Sequence, residues 1–373
     1  MATPYSFGIV PIGCHAFNKA RNEVAISPNN AEVHIYKQVS GRWEKMHVLE
    51  GHGQRVTSLD WAPESNRIVS CGVDRNAYVW TFTDGKWKPT LVILRINRAA
   101  TCVRWSPQEN KFAVGSGARV ISVCYFEKEN DWWVSKHIKK PIRSTVTSLD
   151  WHPNNILLAA GSTDFKARVF SGWIKECEAK PQETPWGKKM PLGNLMVEFS
   201  NAPGGGGGWV HSVGFSPSGD KLAWVGHDSS VSVVSVHNKD VVTNVKTTFL
   251  PFLSLIWATE NSIVVAGHDC CPVLYSTDDQ GKLAFVSKLD IPQEKEGGTL
   301  SAMKRFQTLD KKATTDDASS DLKTKHQNSI TQLSVYSGSR EQVTKFASSG
   351  VDGQIVVWDF KSLESAIAGL RIA

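Results

Sequence analysis

The sequence predicts an all-β fold, a single seven-bladed β-propeller that occupies residues 1–373. Three observations predict it. A hexamer of alternating polar and apolar residues recurs about every 44 residues, a polar turn residue is followed six positions later by a large apolar one, and short β-rich runs lie between these markers. A period near 44 residues with about four short strands per unit is typical of a propeller blade.

The hexamer sets the number of blades. Two copies, Val56–Trp61 and Val146–Trp151, have identical letters. Weaker copies end at Phe17, Trp105, Phe215, Trp257 and Val335. The distances between successive copies are 44, 44, 46, 64, 42 and 78 residues, so four of the six lie within two residues of 44. Seven copies predict seven blades.

The second marker occurs once in each unit. Its seven pairs are Asn30/Tyr36, Asp74/Trp80, Gly117/Val123, Asp164/Phe170, Asp228/Val234, Asp269/Tyr275 and Asp352/Trp358. A turn aspartate accepts hydrogen bonds from the backbone amides of its own turn. The Trp358-Asp359 dipeptide indicates blades of the WD-repeat (WD40) type. Resemblance to that family implies a buried network of His52, Ser70, Asp74 and Trp80, with structural roles for Asp164, Asp228, Asp269, Asp352 and Trp358 in other blades.

Closure of the ring requires a strand from the N-terminus. The last unit supplies only three strands, between about Ile330 and Trp358, while Tyr5–Ile9 has strand-like character and precedes the first hexamer. An open blade would leave an unpaired strand edge. We therefore expect the N-terminal strand to become the outer strand of blade seven.

Composition excludes several classes of protein. Charged residues make up 21% and apolar residues 41%, which is typical of globular chains. Apolar runs stay short of the roughly 20 residues that cross a bilayer, and no basic and apolar leader precedes Lys19, so we expect a soluble protein without a membrane partner. The seven cysteines form no C-x-x-C pattern, which indicates a reducing compartment. A net charge of +6 is too dilute to indicate a nucleic-acid partner.

The sequence also lacks a convincing catalytic or metal-binding pattern. Two Gly-His-Asp triplets, at 226–228 and 267–269, fall on the turn positions of blades and are explained structurally. Cys270-Cys271 has no spaced His or Cys partners for tetrahedral zinc. Walker, G-x-S-x-G and H-E-x-x-H motifs are missing. We expect a protein that is not an enzyme and that uses no cofactor.

A basic stretch at Lys136–Arg143 has three interpretations. Asp131-Trp132-Trp133 precedes it, and Arg95 and Arg98 lie at the corresponding end of the preceding unit. A basic and aromatic surface suits nucleic acid. An acidic protein surface would fit equally well, and a solvated blade edge is the third interpretation.

Two surplus segments interrupt the repeat, and surplus residues must leave the blades as loops. The first, 177–208 in blade four, contains Pro181, Pro185 and Pro191 among its four prolines, and the glycine run 204–208. No G-K-[ST] follows the glycines, so a phosphate-binding loop is not predicted, and we expect a flexible connection.

The second surplus segment, 295–326 between blades six and seven, contains a predicted short helix. Leu300, Met303, Phe306 and Leu309 recur every third residue, which gives one apolar stripe. Its flanking cations are Lys304, Arg305, Lys311 and Lys312. About a dozen residues form a marginal helix in water, so the stripe must pack on something. Either the helix folds back onto the propeller or it protrudes and binds a partner.

Several runs of sequence closely resemble one family. They are SPNNAEVHIY at 27–36, WAPESNRIVSCGVDRNAYVW at 61–80, NRAATCVRW from Asn97, LDWHPNN at 149–155, AGHDCCPVLY at 266–275 and SAMKRFQTLDKKAT at 301–314. These residues resemble the WD-repeat subunits of the actin-related protein 2/3 complex, and the similarity covers essentially the whole chain. The pentaglycine run and the polar segment after Thr314 depart from the family.

The resemblance implies a non-catalytic scaffold and actin-binding subunit of the complex that nucleates branched actin filaments. It implies sister subunits, the actin filament and nucleation-promoting factors as partners, and the cytoplasmic actin cytoskeleton of the cell cortex and projections, with a nuclear pool, as location. It assigns Leu300–Lys312 to a protruding helix that contacts the mother filament or the activating peptides. The alternative is a WD-repeat adaptor of a ubiquitin-ligase or RNA-processing complex.

Overall fold

A computed structural model of the chain describes residues 2–8, 10–200, 207–278, 282–290, 322–367 and 370–372. Within these residues, 28 strands form seven antiparallel sheets of four strands each. The predicted all-β propeller with seven blades is therefore confirmed. No helix of the described residues has the length and apolar character needed to span a membrane.

The strands fill the blades in chain order, four to a blade, except that β1 completes blade seven. Blade one contains β2 (Cys14–Phe17), β3 (Glu23–Ser27), β4 (Glu32–Val39) and β5 (Arg42–Glu50); blade two β6 (Val56–Ala62), β7 (Arg67–Gly72), β8 (Ala77–Thr83) and β9 (Lys86–Val92); blade three β10 (Ala100–Trp105), β11 (Lys111–Ser116), β12 (Ile121–Glu127) and β13 (Trp132–Ile138); blade four β14 (Val146–Trp151), β15 (Leu157–Ser162), β16 (Ala167–Ser171) and β17 (Leu195–Phe199). Blade five contains β18 (Val210–Phe215), β19 (Lys221–Gly226), β20 (Ser230–Ser235) and β21 (Val242–Lys246); blade six β22 (Phe252–Trp257), β23 (Ser262–Gly267), β24 (Val273–Thr277) and β25 (Leu283–Lys288); blade seven β26 (Ile330–Gly338), β27 (Val343–Gly350), β28 (Gln354–Asp359) and β1 (Thr3–Ser6).

Two faces of the ring follow from this order. We call the face where the innermost strand of each blade begins the entry face; it carries the connections between blades and the turns between second and third strands. The opposite face, where the innermost strands end, is the exit face. Turn aspartates such as Asp74 and Asp352 lie on the entry face, whereas turns such as those at Asn66 and Asn155 lie on the exit face.

The apolar core lies between the blades. The described residues contain seven buried apolar clusters, and each fills the space between two neighbouring blades. The aromatic ends of the hexamers belong to these clusters: Trp61 lies opposite Ile68, and Trp151 lies opposite Leu158. The indole Nε1 of Trp151 also donates to the carbonyl of Arg104 in the preceding blade, at 3.1 Å.

The polar letters of the hexamer join neighbouring innermost strands. The hydroxyl of Thr57 donates to the carbonyl of Ala100 in the next blade at 2.8 Å, and Thr331 does the same to Ile12 at 2.9 Å. The hydroxyl of Ser58 accepts the amide of Val103 at 3.2 Å. These bonds satisfy polar groups that face the centre of the ring. The alternation of the hexamer therefore encodes both the packing within blades and the bonding between them.

The N-terminal strand closes the ring, as predicted. β1 pairs antiparallel with β28, with Thr3 opposite Val357 and Ser6 opposite Gln354. The strand ends at Ser6 instead of continuing to Ile9, because Gly8 takes a φ of +105°, which is outside the extended conformation. Ile9 lies outside the described residues.

His15 occupies the seam where blade seven meets blade one. Its two ring nitrogens contact the hydroxyls of Ser349 and Ser334 at 2.8 and 2.7 Å, and Gln332 bonds its backbone amide and carbonyl. Burial, with the charges of Arg104 and Arg21, lowers the pKa of His15 to about 3. The imidazole is therefore neutral and bridges the seam by hydrogen bonds alone.

The surplus of blade four is packed against the ring, so the expectation of a flexible connection is wrong for residues 177–200. Trp186 is 2% exposed and its Nε1 donates to the carbonyl of Gly219 at 2.8 Å. β17 forms the outer strand of blade four, so the extra residues lie between the third and fourth strands. The apolar residues Trp186 and Met190 supply the buried surface that a flexible loop lacks. Residues 201–206 lie outside the described range.

The glycine run ends at a close contact. A Cβ atom on Gly208 would lie 2.3 Å from the amide nitrogen of Asp228, so a side chain does not fit there. This position therefore needs glycine for space at the start of blade five.

A helix at the C-terminal end was not predicted. α1 (Phe360–Ala366) begins after Asp359, whose side chain accepts the amide of Ser362 and caps the helix. Its buried face joins the cluster between blades six and seven through Phe360 and Leu363. A 3₁₀ turn, Val236–Asn238, is the other short helical element described.

Candidate interaction surfaces

The predicted partner-binding helix lies outside the described residues. All eight of its named residues fall in 291–321: Leu300, Met303, Lys304, Arg305, Phe306, Leu309, Lys311 and Lys312. What the structure describes is the base of that segment, Asp290 on one side and residues 322–327 on the other. The assignment of the helix residues therefore stays a prediction, and the base is the part of the site that has a geometry.

The two ends of the base are bonded to each other on the entry face. The carboxylate of Asp290 accepts the backbone amide of Lys325, across 35 residues of sequence. Gln327 accepts the amide of Leu322 at 2.8 Å and donates to the carbonyl of Thr324 at 2.6 Å. The two described ends of the segment therefore meet at one point on the ring.

A buried network fixes this base to blade seven. His326 is fully buried; its Nδ1 lies 3.1 Å from both carboxylate oxygens of Asp352 and its Nε2 lies 2.8 Å from the hydroxyl of Ser348. The indole of Trp358 donates to the same hydroxyl at 2.8 Å. Burial raises the pKa of Asp352, but the hydrogen bond and charge of His326, together with the backbone amides of Gln327 and Gln354, outweigh burial and leave that pKa below its usual value.

Blade two contains the same network. His52 contacts Asp74 at 2.9 Å and Ser70 at 2.8 Å, and Trp80 donates to Ser70 at 2.8 Å. Asp74 also accepts the amide of Gly53 at 3.1 Å, which ties the connection between blades to the turn. Burial lowers the pKa of His52, against the opposing effect of Asp74.

His326 and Ser348 are functional residues of the base that the sequence pattern did not predict. His52 precedes its aspartate by 22 residues and His326 precedes Asp352 by 26, so a search at the spacing of blade two fails in blade seven. The spacing from the serine to the tryptophan is 10 residues in both networks, and this shared spacing could have identified Ser348 from the sequence.

The other turn aspartates use different partners. Asp164 accepts the amide of Arg143 at 2.9 Å and a bond from the guanidinium of Arg168 at 2.9 Å. Asp269 accepts the amide of Leu250 at 2.6 Å, and Asp228 accepts from Ser230 at 2.7 Å. The shared function of Asp74, Asp164, Asp269 and Asp352 is to accept an amide from the connection that precedes the blade.

The basic stretch does not form one surface with its aromatic neighbours. Trp132 begins β13 at the exit face, whereas Lys139 and Lys140 follow the end of that strand at the entry face. Seven strand residues span about 20 Å, so the exposed indole and the exposed ammonium groups are far apart. Lys136 forms an ion pair with Glu176 at 2.7 Å. The combined basic and aromatic surface that nucleic acid would use is therefore not formed.

The Gly-His-Asp triplets lie on entry-face turns. His227 contacts His211 at 3.0 Å, and His268 contacts the hydroxyl of Ser329 at 2.9 Å. Burial, and then the charges of the other two histidines, lower the pKa of His211 to about 4. The part of the chain that the structure describes contains no group of three or more His, Cys, Asp and Glu side chains arranged to hold a metal ion.

Comparison with known proteins supports the repeat and the resemblance. The family model for the WD domain, G-beta repeat, matches residues 43–81, 135–171 and 320–359. The chain is similar to actin-related protein 2/3 complex subunit 1A-B of Xenopus laevis, at 63% identity over 368 residues that cover 99% of both chains. It is also similar to subunit 1 of that complex from Schizosaccharomyces pombe, at 46% over 96% of this chain and 100% of the relative, and to subunit 1B from Arabidopsis thaliana, at 41% over 95% and 96%.

Proposed function

The chain belongs to the family of subunit 1 of the actin-related protein 2/3 complex, and we propose that it is a non-catalytic scaffold subunit of such a complex. The observation that carries the proposal is identity of 63% over 99% of both chains, because a match of that length includes every blade and both surplus segments. The other subunits of the complex are then its partners, and the cytoplasmic actin cytoskeleton is its location, with a nuclear pool as a further proposal.

We further propose that the segment between blades six and seven binds the actin filament or an activating peptide of a nucleation-promoting factor. Its apolar stripe is Leu300, Met303, Phe306 and Leu309, and its flanking cations are Lys304, Arg305, Lys311 and Lys312. The closed base at Asp290 and Lys325 supports the proposal, because both ends of the segment are held and the seven blades are complete without it. A few buried apolar anchors dominate such contacts, and charges at the rim affect mainly the encounter rate.

The alternative, an adaptor of a ubiquitin-ligase or RNA-processing complex, is not favoured by the relatives. Co-purification from cells separates the two. We expect the tagged full-length chain to recover actin-related proteins in stoichiometric amounts; recovery of ligase subunits or ribonucleoprotein in their place would refute the scaffold proposal.

Phe306→Ala tests the binding segment in a reconstituted complex. We expect fewer branches per filament length with normal assembly of the complex, because a central apolar anchor is removed. The matched control is Phe285→Ala, an exposed phenylalanine in the outer strand of blade six, which should branch normally. Equal branching by Phe306→Ala and wild type across several activator concentrations would contradict the assignment.

Charge reversal at Lys311 and Lys312 tests the electrostatic part. We expect weaker filament or activator binding that is most pronounced at low salt, since salt screens exposed charges. The matched control is charge reversal at Lys188 and Lys189, two consecutive exposed lysines in blade four. A loss of the same size at high and low salt would argue against steering by these two lysines.

A further inference from the structure

We propose that the exit-face mouth of the central channel binds a small anion with clustered phosphate groups, held by Arg21, Arg104 and Arg340. A cavity of about 470 Å³ lies there, lined by the innermost strands and exit-face turns. Its walls include the three arginines together with His15, Asp60 and Asp150. The described ends of the segment between blades six and seven, Asp290 and Leu322, lie on the opposite, entry face.

The three guanidinium groups come from distant parts of the chain and converge on the cavity. Arg104 lies on the innermost strand of blade three, whereas Arg21 and Arg340 lie in the exit-face turns of blades one and seven. The charges of Arg21 and Arg104 both act on buried His15, and those of Arg340 and Arg104 both act on Asp150. All three arginines line the same cavity, so one bound molecule can contact them together.

The arginines have few partners of their own. Among the described residues, none of the three forms an ion pair within 4 Å. Arg21 donates to the carbonyl of Phe17 and Arg340 to that of Trp151, both at a long 3.4 Å. Burial lowers the pKa of Arg21 against the opposing charges of Tyr336 and Asp60, so its guanidinium is partly desolvated and forms no ion pair within 4 Å.

The two carboxylates of the cavity are already occupied by backbone groups. Asp60 accepts the amides of Trp61 at 3.0 Å and Trp105 at 2.8 Å, and Asp150 accepts the amide of Phe215 at 2.8 Å. Burial raises the pKa of both aspartates, against the opposing charge of Arg104 at Asp60 and of Arg340 at Asp150. The three arginines of the cavity therefore outnumber its two aspartates, and their donors are not engaged in an ion pair with either carboxylate.

The size and donor type of the cavity indicate the ligand. A volume of a few hundred Å³ is typical of small-molecule sites rather than of sites for an extended polymer. Guanidinium groups bind phosphate oxygens through two parallel hydrogen bonds. Three of them around one cavity fit a molecule with several phosphates, such as an inositol polyphosphate or a nucleotide.

Calorimetry on the purified full-length chain tests the site with inositol hexakisphosphate and, separately, magnesium-free ATP. We expect saturable binding of at least one probe with one site per chain, and the probe that binds more tightly identifies the source of the phosphates. Arg340→Gln, in an exposed turn, should weaken binding by roughly tenfold, because it removes one charged hydrogen-bonding partner. Arg21→Gln should have a similar effect, and Arg104→Gln is informative only if circular dichroism shows it to be folded.

Arg98→Gln is the matched control, because Arg98 is exposed on the entry face and lies outside the cavity. It should leave affinity unchanged. Failure of both probes to bind at millimolar concentration would overturn the proposal, as would equal weakening by Arg98→Gln and Arg340→Gln. Tighter binding of an acidic peptide, lost in Arg340→Gln, would also overturn it in favour of a peptide site.

Discussion

The surplus residues of blade four pack into the ring along residues 173–200, whereas the surplus between blades six and seven is attached through its base, Asp290 and 322–327. The first buries Trp186 and a charged side chain, Glu178, which pairs with fully buried Lys111 of blade three. The second is attached by backbone amides and the network of His326. Length beyond the repeat is thus a poor guide to function, and buried anchors within a segment indicate a structural role.

The largest expected effect is at the anchor of the first surplus segment. Glu178→Ala leaves the ammonium of Lys111 buried without its partner, which should lower the free energy of unfolding by about 3–5 kcal/mol. Urea denaturation measures it. Glu176→Ala is the control, since its ion pair with Lys136 is half-exposed and should contribute only about 0–1 kcal/mol. Equal midpoints for the two variants would mean that the segment is not anchored by this pair.

The second largest effect is expected from removal of the histidine in either of the two histidine networks. His52→Ala and His326→Ala each remove two buried hydrogen bonds, so each should lower the free energy of unfolding by about 2–3 kcal/mol. They should differ in function, because only His326 holds the base of the second surplus segment. We expect reduced branching by a complex that contains His326→Ala and normal branching with His52→Ala. Equal branching by both variants would separate the base from the binding function.

These contrasts also explain which features could be predicted from sequence. The blades and their closure follow from local patterns, because each hexamer and turn aspartate bonds within its own unit or the next. The anchor of the first segment could not be predicted, since Lys111 and Glu178 are 67 residues apart and neither belongs to a repeat marker. The network of His326 could not be predicted from that of His52, because its histidine and aspartate are separated by four more residues. The three arginines of the channel line one cavity only because the ring closes. The helix residues 300–312 stay a prediction.

A smaller effect should appear on acidification beneath the first surplus segment. His152 packs on Phe215, as Trp186 does, and its Nδ1 accepts the amide of Asn154 at 3.0 Å. Burial lowers its pKa from 6.5 to about 4. The unfolded chain therefore binds this proton first, so the contribution of His152 is complete above pH 6.5 and is lost as pH falls toward 4.

Urea unfolding of wild type and His152→Asn at several pH values measures this contribution. With allowance for partial exposure, His152 should account for about 1–2 kcal/mol of the decline between pH 7 and 4.5. The contribution of His15, whose pKa is about 3, to the free energy of unfolding also falls on acidification. Because His15 is present in both proteins, the difference between the two curves isolates the contribution of His152. Parallel curves would show that His152 does not titrate with folding.

The smallest expected effect on stability comes with the largest loss of function. Replacing residues 295–321 by a short glycine-serine linker leaves the bonds of Asp290, Lys325 and His326 in place. Because loop closure depends only weakly on length, the free energy of unfolding should change by no more than about 0.5 kcal/mol. Branching should nevertheless fall sharply, since the apolar stripe is removed. A large loss of stability would mean that the segment packs on the ring as the first one does, and the contrast between the two segments would disappear.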